Sequence, residues 1–149
     1  MIALDDLDRT ILKEMQSDGR ISYAALGERI GLSAPATRQR VQRLLDAGVL
    51  QVVGVTDPLA LGWPMMAMIG IHADGDVRRV ADVVGSLPQV IYVVLTSGGY
   101  DLFAEVVCRS PQELLDLVED SLKPIEGVSK VEPFIYYGIH THRFTWDIP

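Results

Sequence analysis

From Ser22 to Leu45 the chain reads SYAALGERIGLSAPATRQRVQRLL. Ser22 can cap a short helix carrying Ala25, Leu26 and Ile30, and Gly31 follows where a helix end often needs positive φ. Ser33 can cap the next helix. Pro35 falls near its first turn, Val41, Leu44 and Leu45 recur on one face, and Gly48 stops the pattern. Two short helices joined by a three-residue turn containing glycine are the helix-turn-helix pattern. Upstream, Leu4, Leu7, Ile11, Leu12 and Met15 share one helical face, Asp5, Asp6 and Asp8 sit where acids complement the helix dipole, and Gly19 lies beyond the end. This predicts a first helix over residues 5–17.

Downstream of Gly48 the chain changes character. Residues 49–55, VLQVVGV, are short and β-branched, and Asp57-Pro58 and Gly62-Trp63-Pro64 then break the pattern, which reads as a wing or linker strand. Strand-like runs follow at about 66–73, 90–97, 101–108 and 129–140, with helical stretches at about 76–86 and 111–122. Leu87-Pro88-Gln89-Val90 and Ile125-Glu126-Gly127-Val128 repeat one arrangement: each closes an amphipathic segment and opens a β-rich run. A β-α-β order run twice, turning tightly at Ser97-Gly98-Gly99-Tyr100, is the split βαβ or ferredoxin-like arrangement, an antiparallel four-stranded sheet with two helices on one face. The expected class is α+β, a winged helix-turn-helix followed by a βαββαβ αβ-sandwich. The expected domains are residues 1–50, a wing or linker over 51–64, and 65–149. Runs such as Val90–Leu95 and Leu102–Cys108 barely alternate, so both sheet faces are expected to be covered, the second by a partner copy of the chain or by the linker or first domain.

The chain has 149 residues, 48% of them hydrophobic and 22% charged, with a net charge of −7. It is too apolar for a disordered chain and too short for a large multidomain enzyme. Cys108 is the single cysteine, which excludes an intrachain disulfide and a cysteine-cluster zinc site and suits a reducing compartment. No basic or apolar leader opens the chain and no apolar run approaches membrane-span length, so a cytoplasmic location without membrane contact is expected. An acidic total argues against a nucleic-acid partner, but the charge is segregated. Residues 1–63 hold 7 basic and 8 acidic side chains, and residues 64–149 hold 6 and 12. Residues 29–45 contain Arg29, Arg38, Arg40 and Arg43 and no acid.

On a helical wheel anchored at Val41, Pro35, Ala36, Gln39, Gln42 and Arg43 form the outer arc, Arg38 and Arg40 flank the buried stripe, and Thr37 falls inside as packing. Arg and Gln offer forks that match guanine and adenine edges, and Ser33 with the helix N-terminus can hold a phosphate. Such a stripe alone is also how an ordinary solvated helix face looks, but its place on the third helix after a glycine turn favours DNA. Arg38, Gln39, Gln42 and Arg43 are the base or phosphate candidates, and Arg40 either braces the fold or touches the DNA backbone.

Leu7-Asp8-x-x-Ile11-Leu12, Ser22-Tyr23-x-x-Leu26, Ile30-Gly31-Leu32-Ser33, Arg40-Val41-x-x-Leu44, Gly48-Val49-Leu50, Gly99-Tyr100-Asp101-Leu102 and Gly127-Val128 together resemble the Lrp/AsnC (feast/famine) transcriptional regulators over nearly the whole chain. The resemblance implies a ligand-sensing second domain, dimers built through it, assembly up to octamers, and amino acids or related metabolites as effectors. It also implies effector contacts at the turn between the second and third strands. There Gly98 and Gly99 let backbone N–H groups approach a carboxylate, Asp101 can pair with an ammonium, and Thr96 or Tyr100 can add a hydroxyl. Without the resemblance the same residues read as an ordinary hairpin turn. Glu132-Pro133-Phe134 departs from the family pattern, and a proline in a strand marks an edge or a bulge.

Other signals are weaker. His140 and His142, two apart on an expected strand, with His72, have acceptable metal-ligand geometry, but no carboxylate or cysteine completes a site, and neither metal nor cofactor is expected. Cys108 reads as core rather than nucleophile, Met65, Met66 and Met68 as packing or a subunit contact, and Glu105 as a pocket or interface residue. The sequence therefore predicts a non-enzymatic, sequence-specific DNA-binding regulator. The rivals are a small-molecule enzyme of ferredoxin-like fold and an oligomerisation module whose helices contact protein, but no acid–base or nucleophile constellation supports an enzyme.

Overall fold

The computed structural model describes residues 2–58, 60–143 and 145–148. The chain forms two compact units, residues 1–54 with 141–149, and residues 55–140.

In the first unit the apolar stripes and caps produce three helices, α1 (Asp6–Ser17), α2 (Tyr23–Ile30) and α3 (Ala34–Asp46). Asp5 caps α1 reciprocally with Asp8, each side chain accepting from the other's backbone N–H. The Ser22 and Ser33 hydroxyls accept from the N–H groups of Ala25 and Ala36, and Gly31 takes φ 74° at the end of α2. Ile11, Leu12, Met15, Leu26, Val41 and Leu44 form the core, with Ile148 packed against it from the chain's last segment. That segment therefore clusters with the helices, although the sequence grouped it with the sheet. Gly27 is where α2 meets the turn into α3: a Cβ there would lie 2.4 Å from the Leu32 carbonyl oxygen and 2.9 Å from Thr37 Oγ1.

The strand expected within residues 49–64 does not form. Val49, Val52, Val53 and Val55 are exposed and no described residue pairs with them in a ladder. β-branched side chains favour an extended backbone, but a strand needs a neighbour, and among the described residues there is none.

The second unit contains β1 (Met65–Ala73), α4 (Val77–Gly85), β2 (Val90–Leu95), β3 (Leu102–Cys108), α5 (Pro111–Asp116), which continues as a π-helical turn to Leu122, and β4 (Val128–Ile135). The sheet order is β2-β3-β1-β4, antiparallel throughout, as the split βαβ reading requires. Ala67, Ile69 and Ile71 of β1 and Leu102, Ala104, Val106 and Cys108 of β3 meet Val80 and Val84 of α4 and Leu114, Leu117, Val118 and Leu122 of the last helix. Burial pushes the Cys108 thiol up to about 11, with Glu113 adding to the shift, so it stays a protonated core group. Pro133 sits in the edge strand β4, where a missing N–H costs no ladder bond.

Only one sheet face is covered by the unit's own helices. On the other lie Met66, Met68, Gly70 and His72 of β1, Phe103, Glu105 and Val107 of β3, Phe134 of β4 and Tyr92 of β2. Ile91, Tyr92 and Leu95 are exposed, so the expectation that both faces are covered is not met within a single chain. Part of the linker does reach the sheet: Pro58, Leu61 and Trp63 line a groove of about 240 Å³ with Pro88, Ile91 and Val107. β4 ends at Ile135, so His140 and His142 lie beyond it rather than side by side on a strand.

Candidate functional site

The N-terminus of α3 and its outward side chains border a concave surface of about 1200 Å³, whose walls include Tyr23, Pro35, Arg38, Gln39, Gln42 and Arg43. Ser33, Pro35, Arg38, Gln39, Gln42 and Arg43 are exposed, Arg40 is half-buried and Thr37 is fully buried. The Ser33 hydroxyl is taken up by its own helix cap at 3.4 Å from Ala36 N. Gln42 Nε2 donates to Asp46 Oδ1 at 2.8 Å, which orients its amide along the helix.

Behind this face lies a residue whose part in it the sequence reading missed. Asp8 carries no accessible surface, yet two guanidinium groups meet its carboxylate. Its Oδ1 accepts from Arg40 Nη1 at 2.9 Å and its Oδ2 accepts from Arg43 Nη2, while Arg40 Nη1 also donates to Asp5 Oδ2 at 2.7 Å. Burial pushes the Asp8 carboxyl up. The hydrogen bonds from Arg43, from the Asp5 backbone N–H and from Arg40, with the attraction of Arg43, outweigh it and hold the carboxyl down at about 2. The available signal was the triplet of acids at the start of α1, read only as complementing the helix dipole.

A folded-state value below the ordinary 3.8 means that this cluster stabilises the fold above pH 4 and loses that contribution as the pH falls towards 2. Its share is about 2 kcal/mol. Thermal melts of the helical unit should therefore fall steeply between pH 4 and 2, and the fall should disappear in Asp8→Asn.

In the sheet unit the turn between β2 and β3 is pinned at several points. Thr96 Oγ1 donates to the Tyr100 carbonyl at 2.6 Å, Thr96 N donates to the Asp101 carbonyl at 2.9 Å, and Asp101 N donates to the Ile71 carbonyl at 3.0 Å. Asp101 Oδ2 accepts from Ala73 N at 2.9 Å and lies 3.9 Å from His72 Nδ1. Gly98 and Gly99 are exposed with open space where a Cβ would point. The five expected effector residues are thus adjacent, but the side-chain oxygens of Thr96 and Tyr100 and one Asp101 oxygen already have partners in the chain.

The Tyr100 ring lies across Gly70, so close that a Cβ there would come within 2.7 Å of it, and it contacts the rings of His72, Phe103 and Phe134. Its hydroxyl donates to Glu132 Oε2 at 2.8 Å, an oxygen that also pairs with Lys130 Nζ at 2.8 Å. Lys130 first and Tyr100 second hold the Glu132 carboxyl below the usual range. Nearby, Tyr136 donates to Glu105 Oε1 at 2.9 Å, and burial with that carboxylate pushes the Tyr136 hydroxyl up to about 12. Glu105 therefore lies on the uncovered sheet face, hydrogen-bonded to a tyrosine. The sequence reading left this aromatic and acidic network unresolved because its members come from three strands and a turn. Among the described residues no group of three or more His, Cys, Asp or Glu side chains is placed to hold a metal ion. No helix among them is long and apolar enough to cross a membrane.

Residues 4–45 match the AsnC-type helix-turn-helix domain and residues 66–143 match the Lrp/AsnC ligand binding domain. An uncharacterised HTH-type transcriptional regulator of Pyrococcus abyssi is 33% identical over 93% of this chain and 89% of its own. The leucine-responsive regulatory protein of Rhizobium meliloti is 32% identical over 90% of this chain and 89% of its own. The solved structure of AsnC from E. coli superposes with a TM-score of 0.83 at 26% identity, covering 97% of this chain and 99% of that one.

Proposed function

Because the chain belongs to the Lrp/AsnC family of transcriptional regulators, we propose that it binds operator DNA through the outward face of α3 as a homo-oligomer, and that an amino acid or related metabolite at the 96–101 turn controls that binding. The observation that carries the DNA half is the run of exposed Arg38, Gln39, Gln42 and Arg43 along one side of α3, inside the matched helix-turn-helix segment. Side chains of these types make bidentate contacts with guanine and adenine edges, and the α3 N-terminus at Ser33 and Pro35 suits a phosphate.

Oligomerisation is supported by the uncovered sheet face. Exposed Tyr92 and Phe134 flank half-buried Met68 and Phe103 there, an apolar surface that a second copy covers with matching residues about a two-fold axis. A dimer presents two reading heads to half-sites about one helical turn, ~34 Å, apart, and dimers assemble further, up to an octamer. The uncommitted groups at the turn fit a zwitterion: the backbone of Gly98 and Gly99 for a carboxylate, and the remaining Asp101 oxygen for an ammonium. Thr96 and Tyr100 shape the turn, and a neighbouring subunit completes the site. The effector acts through unequal affinity for two assemblies or head spacings. A DNA partner supports the expected cytoplasmic location.

The test is a gel shift on the DNA upstream of the chain's own gene, with and without each member of an amino-acid panel. Asp101→Asn keeps an acceptor for Ala73 N–H but removes the charge. It should bind DNA as wild type does in the absence of effector and lose at least about 10-fold in response to the active amino acid, a loss of 1.4 kcal/mol or more. A full response in Asp101→Asn removes that residue from the site, and no retained band with any duplex removes the DNA reading.

A further inference from the structure

Three of the four arginines in the basic stretch are paired inside the helical unit. Arg29 is bound to Glu14, Arg40 to Asp5 and Asp8, and Arg43 to Asp8. Arg38 alone of the four makes no ion pair among the described residues, and it borders the α3 concavity. The formal +4 of residues 29–45 is therefore not the charge that α3 presents. A guanidinium already matched by a carboxylate adds little to counterion release on DNA. Held from behind, however, it keeps its other N–H groups aimed outward, as bidentate contact with guanine requires.

Asp8 is built for that hold. Its side chain has no exposure, and its Oδ2 accepts from Asp5 N at 3.1 Å, so the α1 capping box fixes the carboxylate before any arginine reaches it. Arg40 closes the inner side, with 30% of its side chain exposed, while Arg43 keeps 46% exposed. Arg43 is anchored through Nη2, and the residue lines the concavity.

We propose that Asp8 is a positioning residue of the DNA-reading head, its buried carboxylate fixing the Arg43 guanidinium for base-edge contact, while Arg38 supplies the phosphate attraction. The proposal rests on α3 being the DNA-contacting helix.

The probes are a duplex selected by the wild-type full-length protein from a random pool and a scrambled duplex of the same composition, titrated from about 50 to 200 mM salt. Arg38→Ala should weaken both duplexes alike and reduce the slope of log K against log salt by about 1 per head. Arg43→Gln should weaken the selected duplex by about 10–100-fold, leave the scrambled one nearly unchanged, and keep the wild-type slope. Asp8→Asn should lose the same selectivity while binding the scrambled duplex more tightly with a steeper slope, because the Arg43 charge is released while Arg40 keeps Asp5. A purely structural Asp8 would lower both affinities together without steepening the slope, and that result overturns the assignment. So does an Arg43→Gln variant that flattens the slope as Arg38→Ala does or keeps full selectivity. Even if Asp8→Asn does not fold, the contrast between Arg38→Ala and Arg43→Gln can overturn the assignment, since an Arg43 without a selective role leaves Asp8 nothing to position. A wild-type protein that selects no duplex refutes the DNA reading and this assignment with it, whereas selection by wild type with no separation among the variants refutes the assignment alone.

Discussion

Gly27→Ala is expected to destabilise the helical unit by about 3 kcal/mol, the upper end of the usual range for overpacking. The new methyl would lie 2.4 Å from the Leu32 carbonyl oxygen and 2.9 Å from Thr37 Oγ1. Neither atom can easily retreat. Leu32 belongs to the turn whose N–H closes on the Gly27 carbonyl at 2.9 Å, and Thr37 is buried with its hydroxyl donating to the Ser33 carbonyl at 3.0 Å. Relief therefore requires α2 and α3 to separate, which also disturbs the cap at Ser33 and the start of α3. Gly19→Ala is the control, since a Cβ there makes only ordinary contacts, 3.7 Å to the Met15 carbonyl oxygen and 3.9 Å to Val52 Cγ1. Denaturant unfolding followed by helical circular dichroism should show a large loss for Gly27→Ala and a change within about 0.5 kcal/mol for Gly19→Ala. Equal effects would mean that α2 and α3 are not locked at Gly27.

The second large effect is expected from replacing Arg40 and Arg43 together by methionine. Either arginine alone leaves Asp8 one cationic partner, but both changes strand a carboxylate that has no contact with solvent. Stranding a buried charge costs about 3–5 kcal/mol, whereas each single change should cost clearly less than half of that. The sign of the pH dependence provides the check. Without its arginines, burial raises the Asp8 carboxyl instead of losing to its partners, so protonation relieves the variant at acid pH, where wild type loses its ion pairs. The stability gap between variant and wild type should therefore narrow as the pH falls from 7 towards 3. A gap that stays constant over that range would show that Asp8 is not the group left behind.

Both predictions fall within the region that was easiest to read in the sequence, and they show where such reading stops. Ser22, Gly31 and Ser33 could be assigned their caps from the sequence because capping is local, involving atoms two or three residues apart. The βαββαβ order was likewise legible from strand and helix periods separated by turn residues. The linker strand over 51–64 was misread because β-branched composition reports a preference for extended backbone, while a strand depends on a partner the composition cannot name. The turn expected to hold the effector was marked in the sequence by its glycines and Asp101. Its internal commitments were not visible, because Ala73 and Glu132, which hold Asp101 and Tyr100, come from β1 and β4.

The sequence by itself determined the two-part architecture, the helix-turn-helix and the stretch that faces outward on α3, since helix periodicity and capping are properties of neighbouring residues. Only the tertiary structure decided which of those arginines are free to carry charge to a partner. Asp8 lies 32 residues from Arg40 and 35 from Arg43, and nothing in local spacing relates them. Packing brings the start of α1 against α3, and ion pairs act through distance in space, so the charge that α3 presents emerges only once the chain has folded.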